Sequence, residues 1–390
     1  MDRDHSTSDG ASGDGAAFDD FRRRMPLAER FAYFDHAAVA PISGPARDAI
    51  AAWAEQSACE GAVNWASWSR QLTHLRRSVA AMVSADPSEI ALVQNTTDGI
   101  SLIAEGFAWQ SGDNVVVPDD EFPSNFYPWL NLASRGVELR RVPTHDGQLD
   151  LDALSDTCDE RTRIVAASWV SFRSGWRNDP AALAEVAHRH GALLVLDAIQ
   201  ALGVCPLDVQ AAGVDFFAAD GHKWLLGPEG AGLLYVRREH LEVLRPLRLG
   251  WNSVVHDNDF DRLELLLKPS AERYEGGSPN MPGLLGLAAS IEMLRRIGIE
   301  KICQRIVEVT DLLCHRLTEI GAVIHSDRSA PRRTGIVSFD LPGQDARALR
   351  RRCREQDVIL SHRGGRLRAS PHAYTNAEDI ERLIAALNTP

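Results

Sequence analysis

From about Glu89 the chain repeats one pattern: a wholly apolar run of strand length, a short polar break, then an amphipathic stretch of helical length. "EIALVQ" precedes "TTDGISLIAEGF", "NVVVPD" precedes "SNFYPWLNLASRG", and "RIVAASWV" precedes "DPAALAEVAHRHG"; "ALLVLDA", "DFFAAD" and "GAGLLYV" follow. A strand that is apolar on both faces has to be covered on both faces, and helices between successive strands supply that cover. The pattern predicts an α/β fold with a mainly parallel sheet. Asp179-Pro180 reads as a helix start, with Asp as N-cap and Pro at the first position, and Gly191 as its end. After about Tyr274 the rhythm changes. A long helical region, Leu284 to about Ile320, leads to "TGIVSFDL", a helix "DARALRRRCREQ", the segment "GGRLRASPH" and a last helix "NAEDIERLIAAL", which predicts a smaller α+β domain. The expected division is a disordered tail over 1–20, rich in Asp, Ser and Gly, a large domain with its N-terminal segment over 21–275, and a small domain over 276–390.

Composition limits the partners. With 390 residues, a formal net charge of −12 argues against nucleic acid or an anionic membrane surface. No run of eighteen apolar residues suggests a membrane span, and the first residues have no apolar core of a secretory signal. The six cysteines are scattered, with no C-x-x-C pair, so free thiols in a reducing cytoplasm are expected.

In open α/β sheets ligands bind beyond the carboxyl ends of the strands, so residues just after each apolar run carry the information. Thr96 and Thr97, opening a helix after "EIALVQ", suit a phosphate, or are simple caps. Asp197 ends "ALLVLDA", with Gln200 close behind; its carboxylate is compatible with a metal ligand, a base, a turn cap or a partner for a protonated ring nitrogen. No second carboxylate or histidine at ligand spacing supports a metal. His188 and His190, two apart on a predicted helix, read as surface residues. Lys223 directly follows "DFFAAD", beside His222 and Trp224. Most lysines are solvated, but one in a desolvated site has a lowered pKa and forms Schiff bases. A phosphate site, a carboxylate for a ring nitrogen and a Schiff-base lysine are together the three anchors of pyridoxal 5'-phosphate.

The order T-T at a helix start, D-x-x-Q after a strand and then G-H-K, with "ADGHKWLLGPEGAG" and "RYEGGSPNMPGLLGL", resembles the class V aminotransferase family of fold type I. That family includes cysteine desulfurases, selenocysteine lyases, isopenicillin N epimerase and kynureninase. The resemblance runs from "FAYFDHAAVAPI" to the final helix, and implies a mainly parallel seven-stranded sheet in the large domain. It further implies that Lys223 holds the cofactor as a Schiff base and then moves the α-proton of the substrate. Asp197 would pair with the pyridine nitrogen and Gln200 with the phenolic oxygen. Thr96 and Thr97 would bind the phosphate, with Asp220 and His222 nearby. Asp220 departs from the small hydroxyl residue of many members, and a carboxylate is expected to be set back from a dianion. Phe122 falls where desulfurases stack a histidine on the ring; it can stack but not exchange protons. Phe172 falls where they have an asparagine. Ser278 falls where a hydroxyl reaches the phosphate of the neighbouring subunit, which implies a homodimer with shared sites. Arg368 is the implied anchor of the substrate carboxylate, with Arg363 at the entrance.

Desulfurases that pass sulfur as a persulfide carry a cysteine on a loop just before this arginine. Here the loop is "RGGR", with no cysteine between Leu360 and Pro371, and a thiolate is required for that chemistry. The expected function is therefore a PLP-dependent, cysteine desulfurase-like C–S lyase acting on an α-amino acid. An isopenicillin N epimerase-like epimerase and an aminotransferase are the alternatives. A non-enzymatic binding or regulatory module is disfavoured because Lys223 and Asp197 are both present.

Overall fold

The computed structural model describes residues 9–388. Seven strands form the central sheet, in the spatial order Ile90–Val93, Gly232–Val236, Phe216–Asp220, Leu193–Asp197, Thr162–Ser168, Asn114–Pro118 and Glu138–Val142. The strands from Phe216–Asp220 to Glu138–Val142 pair in parallel, while Gly232–Val236 runs antiparallel to both its neighbours. The expectation of a mainly parallel sheet holds, and the exception has a local cause. Gly232 pairs directly with Asp220, so the chain folds back as a hairpin rather than crossing over a helix. Asn114–Pro118, Phe216–Asp220 and Gly232–Val236 are buried along their whole length. Full burial of one Val, Leu or Phe contributes about 1.5–3 kcal/mol, which is why these runs admit no polar alternation.

Helix Pro180–Arg189 begins as its sequence requires: the Asp179 side chain accepts from Ala181 N, and Pro180 occupies the first turn. The long helical region is two helices, Met281–Ile297 and Ile299–Glu319, broken at Gly298, whose φ of 98° no helix contains. The first of these belongs with the large sheet. Its Ser290 Oγ donates to Leu225 O at 2.8 Å and receives the Ser43 hydroxyl at 3.1 Å. The start of the second helix shares this core through Ile299, Ile302 and Ile306.

Beyond it lies a four-stranded antiparallel sheet in the order Val323–Ile324, Val337–Asp340, Arg366–Ala369, Ser361–Arg363. Only the two central strands were expected; the edge strands are too short to leave a pattern. The N-terminal segment also joins this layer: Ala32–Tyr33 pairs in parallel with Val358–Ile359. The stretch expected as a disordered tail over 1–20 is helical from Asp9 to Arg23, and residues 1–8 lie outside the described residues. The physical reason is Phe21, 1% exposed, and the Arg22–Asp379 ion pair at 2.6 Å, which tie the helix to the C-terminal layer.

Candidate active site

Lys223 sits on the loop of the hairpin that joins Phe216–Asp220 to Gly232–Val236. Gly230, with φ 75°, supplies one of its turns; Leu226 supplies another at φ 55°, a conformation that disfavours any side chain by roughly 1–2 kcal/mol. The surroundings hold it there. Leu226 N donates to Lys223 O and Ser43 N donates to Leu226 O, each at 3.0 Å. The buried indole of Trp224 donates from Nε1 to Gln200 Oε1, and its carbonyl is met by His372 Nε2 at 3.1 Å. Lys223 is 7% exposed, and its Nζ stands 5.5 Å from the centroid of Phe122. Burial pulls its pKa down to about 8, against the opposing charge of Asp197, so a substantial fraction of the amine is neutral near physiological pH.

Asp197 ends the neighbouring strand. Its Oδ1 accepts from Ile199 N at 3.0 Å, and burial raises the carboxyl to about 6, with that N–H and the Lys223 charge pulling the other way. Gln200 is engaged at both ends of its amide: Nε2 donates to Ala37 O at 2.9 Å and Oε1 accepts from Trp224, leaving one N–H for a ligand. Thr96 opens helix Thr96–Gly106, capped by Asn95, whose side chain accepts from Asp98 N. Thr97 is exposed and donates to Ser124 Oγ at 2.7 Å.

Three buried polar atoms here have no hydrogen-bond partner: Thr96 Oγ1, His222 Nδ1 and Asp220 Oδ1. His222 Nδ1 lies 3.0 Å from Asp220 Oδ2, a close approach without hydrogen-bond alignment. Val93, Gly232 and Asp220 are consecutive partners across the sheet, so Thr96 and His222 leave it along the same edge. Buried orphans are rare in native proteins. A hydroxyl, an imidazole N–H and the free N–H groups of a helix start suit the oxygens of a phosphate ester. The residues present fit pyridoxal phosphate, with Asp220 behind His222. Ser278 is exposed on the loop before helix Met281–Ile297 and makes no hydrogen bond among the described residues.

The substrate end is separate. Arg368 is 1% exposed; its guanidinium donates to Phe172 O at 2.5 Å, to Ser361 Oγ at 3.1 Å and to Asp35 Oδ1 at 3.4 Å. Burial lowers its pKa to about 10, and burial likewise raises the Asp35 carboxyl. The rings of Phe172 and Phe122 meet edge to face, 5.3 Å between centroids. Arg363 is exposed on the hairpin Ser361–Ala369, whose turn is Gly364-Gly365.

Two residues of the site escaped the sequence reading. Asp35 has no local signal, since its partner lies at the other end of the chain. Glu121 accepts from Ser168 N and Ser168 Oγ, each at 2.5 Å, and burial pushes its carboxyl to about 8, with the Asp197 charge adding to the rise. An acid just after the apolar run "NVVVPD" was the available hint. His188 and His190 lie at the surface as expected, exposed and half-buried, where they contact Asp215 Oδ2 at 2.8 Å and Ser155 Oγ at 3.1 Å.

A buried lysine held neutral on demand, a buried carboxylate beside it and an anion cradle at the same sheet edge define a pyridoxal 5'-phosphate-dependent enzyme of the α/β type. Comparison with known proteins agrees: the chain belongs to the class-V aminotransferase family, which matches residues 32–383. A probable cysteine desulfurase of Methanothermobacter thermautotrophicus is 33% identical, over 94% of this chain and 96% of that protein. Two structures of C-DES are also similar. A C-DES variant with glycine covalently linked to its PLP cofactor superposes with a TM-score of 0.87 at 25% identity, covering 94% of this chain and 98% of that one. The cystine C–S lyase C-DES in complex with its product cysteine persulfide superposes with a TM-score of 0.86 at 26% identity, covering 93% and 98%.

Proposed function

We propose that the chain is a cysteine desulfurase-like C–S lyase, which cleaves the Cβ–S bond of a cysteine-type α-amino acid without passing sulfur through a cysteine of its own. One observation carries this reading. The turn of the hairpin that carries Arg368 is Gly364-Gly365, and the nearest cysteine in sequence, Cys353, is fully buried in helix Ala346–Glu355, its thiol raised to about 11 by burial. The thiolate that a persulfide relay requires is absent from this place.

Bound pyridoxal phosphate supplies the electron sink for charge developing at Cα. Thr96, Thr97 and His222 would hold its phosphate, Asp197 its ring nitrogen, the remaining N–H of Gln200 its phenolic oxygen, and Phe122 the ring face. Lys223 would hold the cofactor, and its amine would serve as the base for the α-proton of the substrate, a role that a pKa of about 8 suits. Arg368 binds the α-carboxylate through its planar fork. Epimerisation by a two-base route needs a proton donor on the face opposite Lys223, and Phe122 offers no exchangeable proton.

The proposal includes a homodimer in which Ser278 reaches the phosphate of the neighbouring subunit. Its exposed hydroxyl supports this, as does the apolar surface nearby: Phe260 is 70% exposed and Leu263 94%, with Leu249 and Trp251 beside them. The proposal also places the protein in the reducing cytoplasm, which its free cysteines support.

The test is a panel of amino acids offered to the holoenzyme, scored for sulfide with pyruvate, for inverted product and for keto acid. Pyruvate is expected together with sulfide from L-cysteine, or with the corresponding thiol or persulfide from an S-substituted cysteine. Turnover giving only the inverted amino acid, or only a keto acid that retains its sulfur, overturns the lyase reading.

A further inference from the structure

The roles assigned to Lys223, Asp197, Gln200, the phosphate cradle and Arg368 leave Glu121 without one. It stands three residues past the strand Asn114–Pro118, at the same sheet edge as Asp197. Its carboxyl reaches across to the next strand: Oε1 accepts from Ser168 N and Oε2 is bonded to Ser168 Oγ, each at 2.5 Å. Ser168 is the register partner of Asp197, and Trp169 N donates to Asp197 O at 2.9 Å. Asn178 Nδ2 donates to the Ser168 carbonyl, also at 2.9 Å. Glu121 is therefore bound to a fixed point beside Asp197.

The next residue is Phe122, whose ring is loosely packed. It is 40% exposed, meets the Phe172 ring edge to face at 5.3 Å, and has Lys223 Nζ 5.5 Å from its centroid. Beyond it the chain enters a single turn over Pro123–Asn125, fastened by Thr97 Oγ1, which donates to Ser124 Oγ at 2.7 Å. The segment that carries Phe122 is thus tied at two places, to Ser168 before the ring and to Thr97 after it. Two hydrogen bonds to one carboxyl fix a backbone more firmly than one edge-to-face ring contact.

We propose that Glu121 is a positioning residue for the cofactor: by clamping Ser168 it fixes Phe122 where its ring covers the pyridine face. The inference rests on the reading of Phe122 as the stacking partner of the ring, and adds what holds that partner in place. Burial pushes the Glu121 carboxyl up to about 8; the Asp197 charge adds to the rise, while the Ser168 bonds and the Asn125 amide oppose it. The acid is accordingly mostly neutral at pH 7. An amide of the same length can take over the clamp, accepting from Ser168 N and donating to Ser168 Oγ.

Pyridoxal phosphate is achiral, so its visible circular dichroism reports how firmly the protein holds the ring. The native holoenzyme and its variants are compared at pH 7 by that signal and by the cofactor dissociation constant. Glu121→Ala is expected to lose at least about half of the visible signal per bound cofactor, and to raise the dissociation constant about tenfold. Glu121→Gln should stay within about twofold of native in both. Ser168→Ala, which deletes one of the two bonds, should raise the constant about threefold. In a Phe122→Ala background, Glu121→Ala should change neither quantity by more than about twofold, because the ring it positions is gone. Native values in Glu121→Ala and Ser168→Ala overturn the clamp. So does a loss in Glu121→Gln equal to that in Glu121→Ala, or a full effect of Glu121→Ala without the Phe122 ring. Each of these leaves the cofactor site standing. A native protein that shows no visible signal with pyridoxal phosphate removes the cofactor reading, and the clamp with it.

Discussion

The two ends of the cleft are built differently. At the cofactor end, Thr96, Asp197 and Lys223 each follow a strand of one continuous sheet, so strand register alone brings them to a common edge. At the substrate end, Asp35, Phe172 and Arg368 come from three distant segments and are held by hydrogen bonds between layers. The sheet gives a fixed floor for chemistry common to many reactions, while the roof depends on short turns such as Gly364-Gly365 that can change without disturbing a strand.

The largest expected effect is at the floor. Lys223→Ala should lower turnover by about 10³-fold or more, and borohydride, which is expected to bleach the visible absorbance of the native protein and fix cofactor to Lys223, should leave the variant unlabelled. A labelled peptide elsewhere would remove Lys223 from its role. At the roof, Arg368→Lys keeps the charge but loses the fork, so kcat/KM should fall about tenfold or more, chiefly through KM. An equal fall in kcat with KM unmoved would mean that Arg368 does not anchor substrate.

A smaller effect separates the two ends by stability. Burial raises Asp197 to about 6 in the folded state from 3.8. A raised acid binds more protons folded than unfolded, so its contribution is favourable below the unfolded pKa and is lost as pH rises from about 4 to about 6. Cofactor-free Asp197→Asn should therefore be more stable than the native apoprotein at pH 7, by about 2 kcal/mol, while activity collapses. Unfolding curves at pH 4 and pH 7 check this, and a destabilised variant at pH 7 would contradict it.

The same contrast explains what was legible in the sequence. Lys223, Asp197 and Thr96 could be found because each directly follows an apolar run, and the parallel sheet could be found because its strands are apolar on both faces. Arg368 and Phe172 were named from family likeness; their mutual contact, and the part played by Asp35, were not visible because nothing local encodes partners 196 and 333 residues away. The helix over Asp9–Arg23 was misread because its composition is that of a solvated tail, and what holds it is Phe21 and the distant Asp379. The break at Gly298 was hidden because helical periodicity continues on both sides of one glycine.

The central claim is that sulfur leaves without touching a protein thiol, and the most direct test is the intact mass of the enzyme trapped during turnover of L-cysteine. The account predicts unmodified protein, with sulfide and pyruvate accumulating together. A mass increase of one sulfur atom on any of the six cysteines, with alanine as the accompanying product, would contradict it.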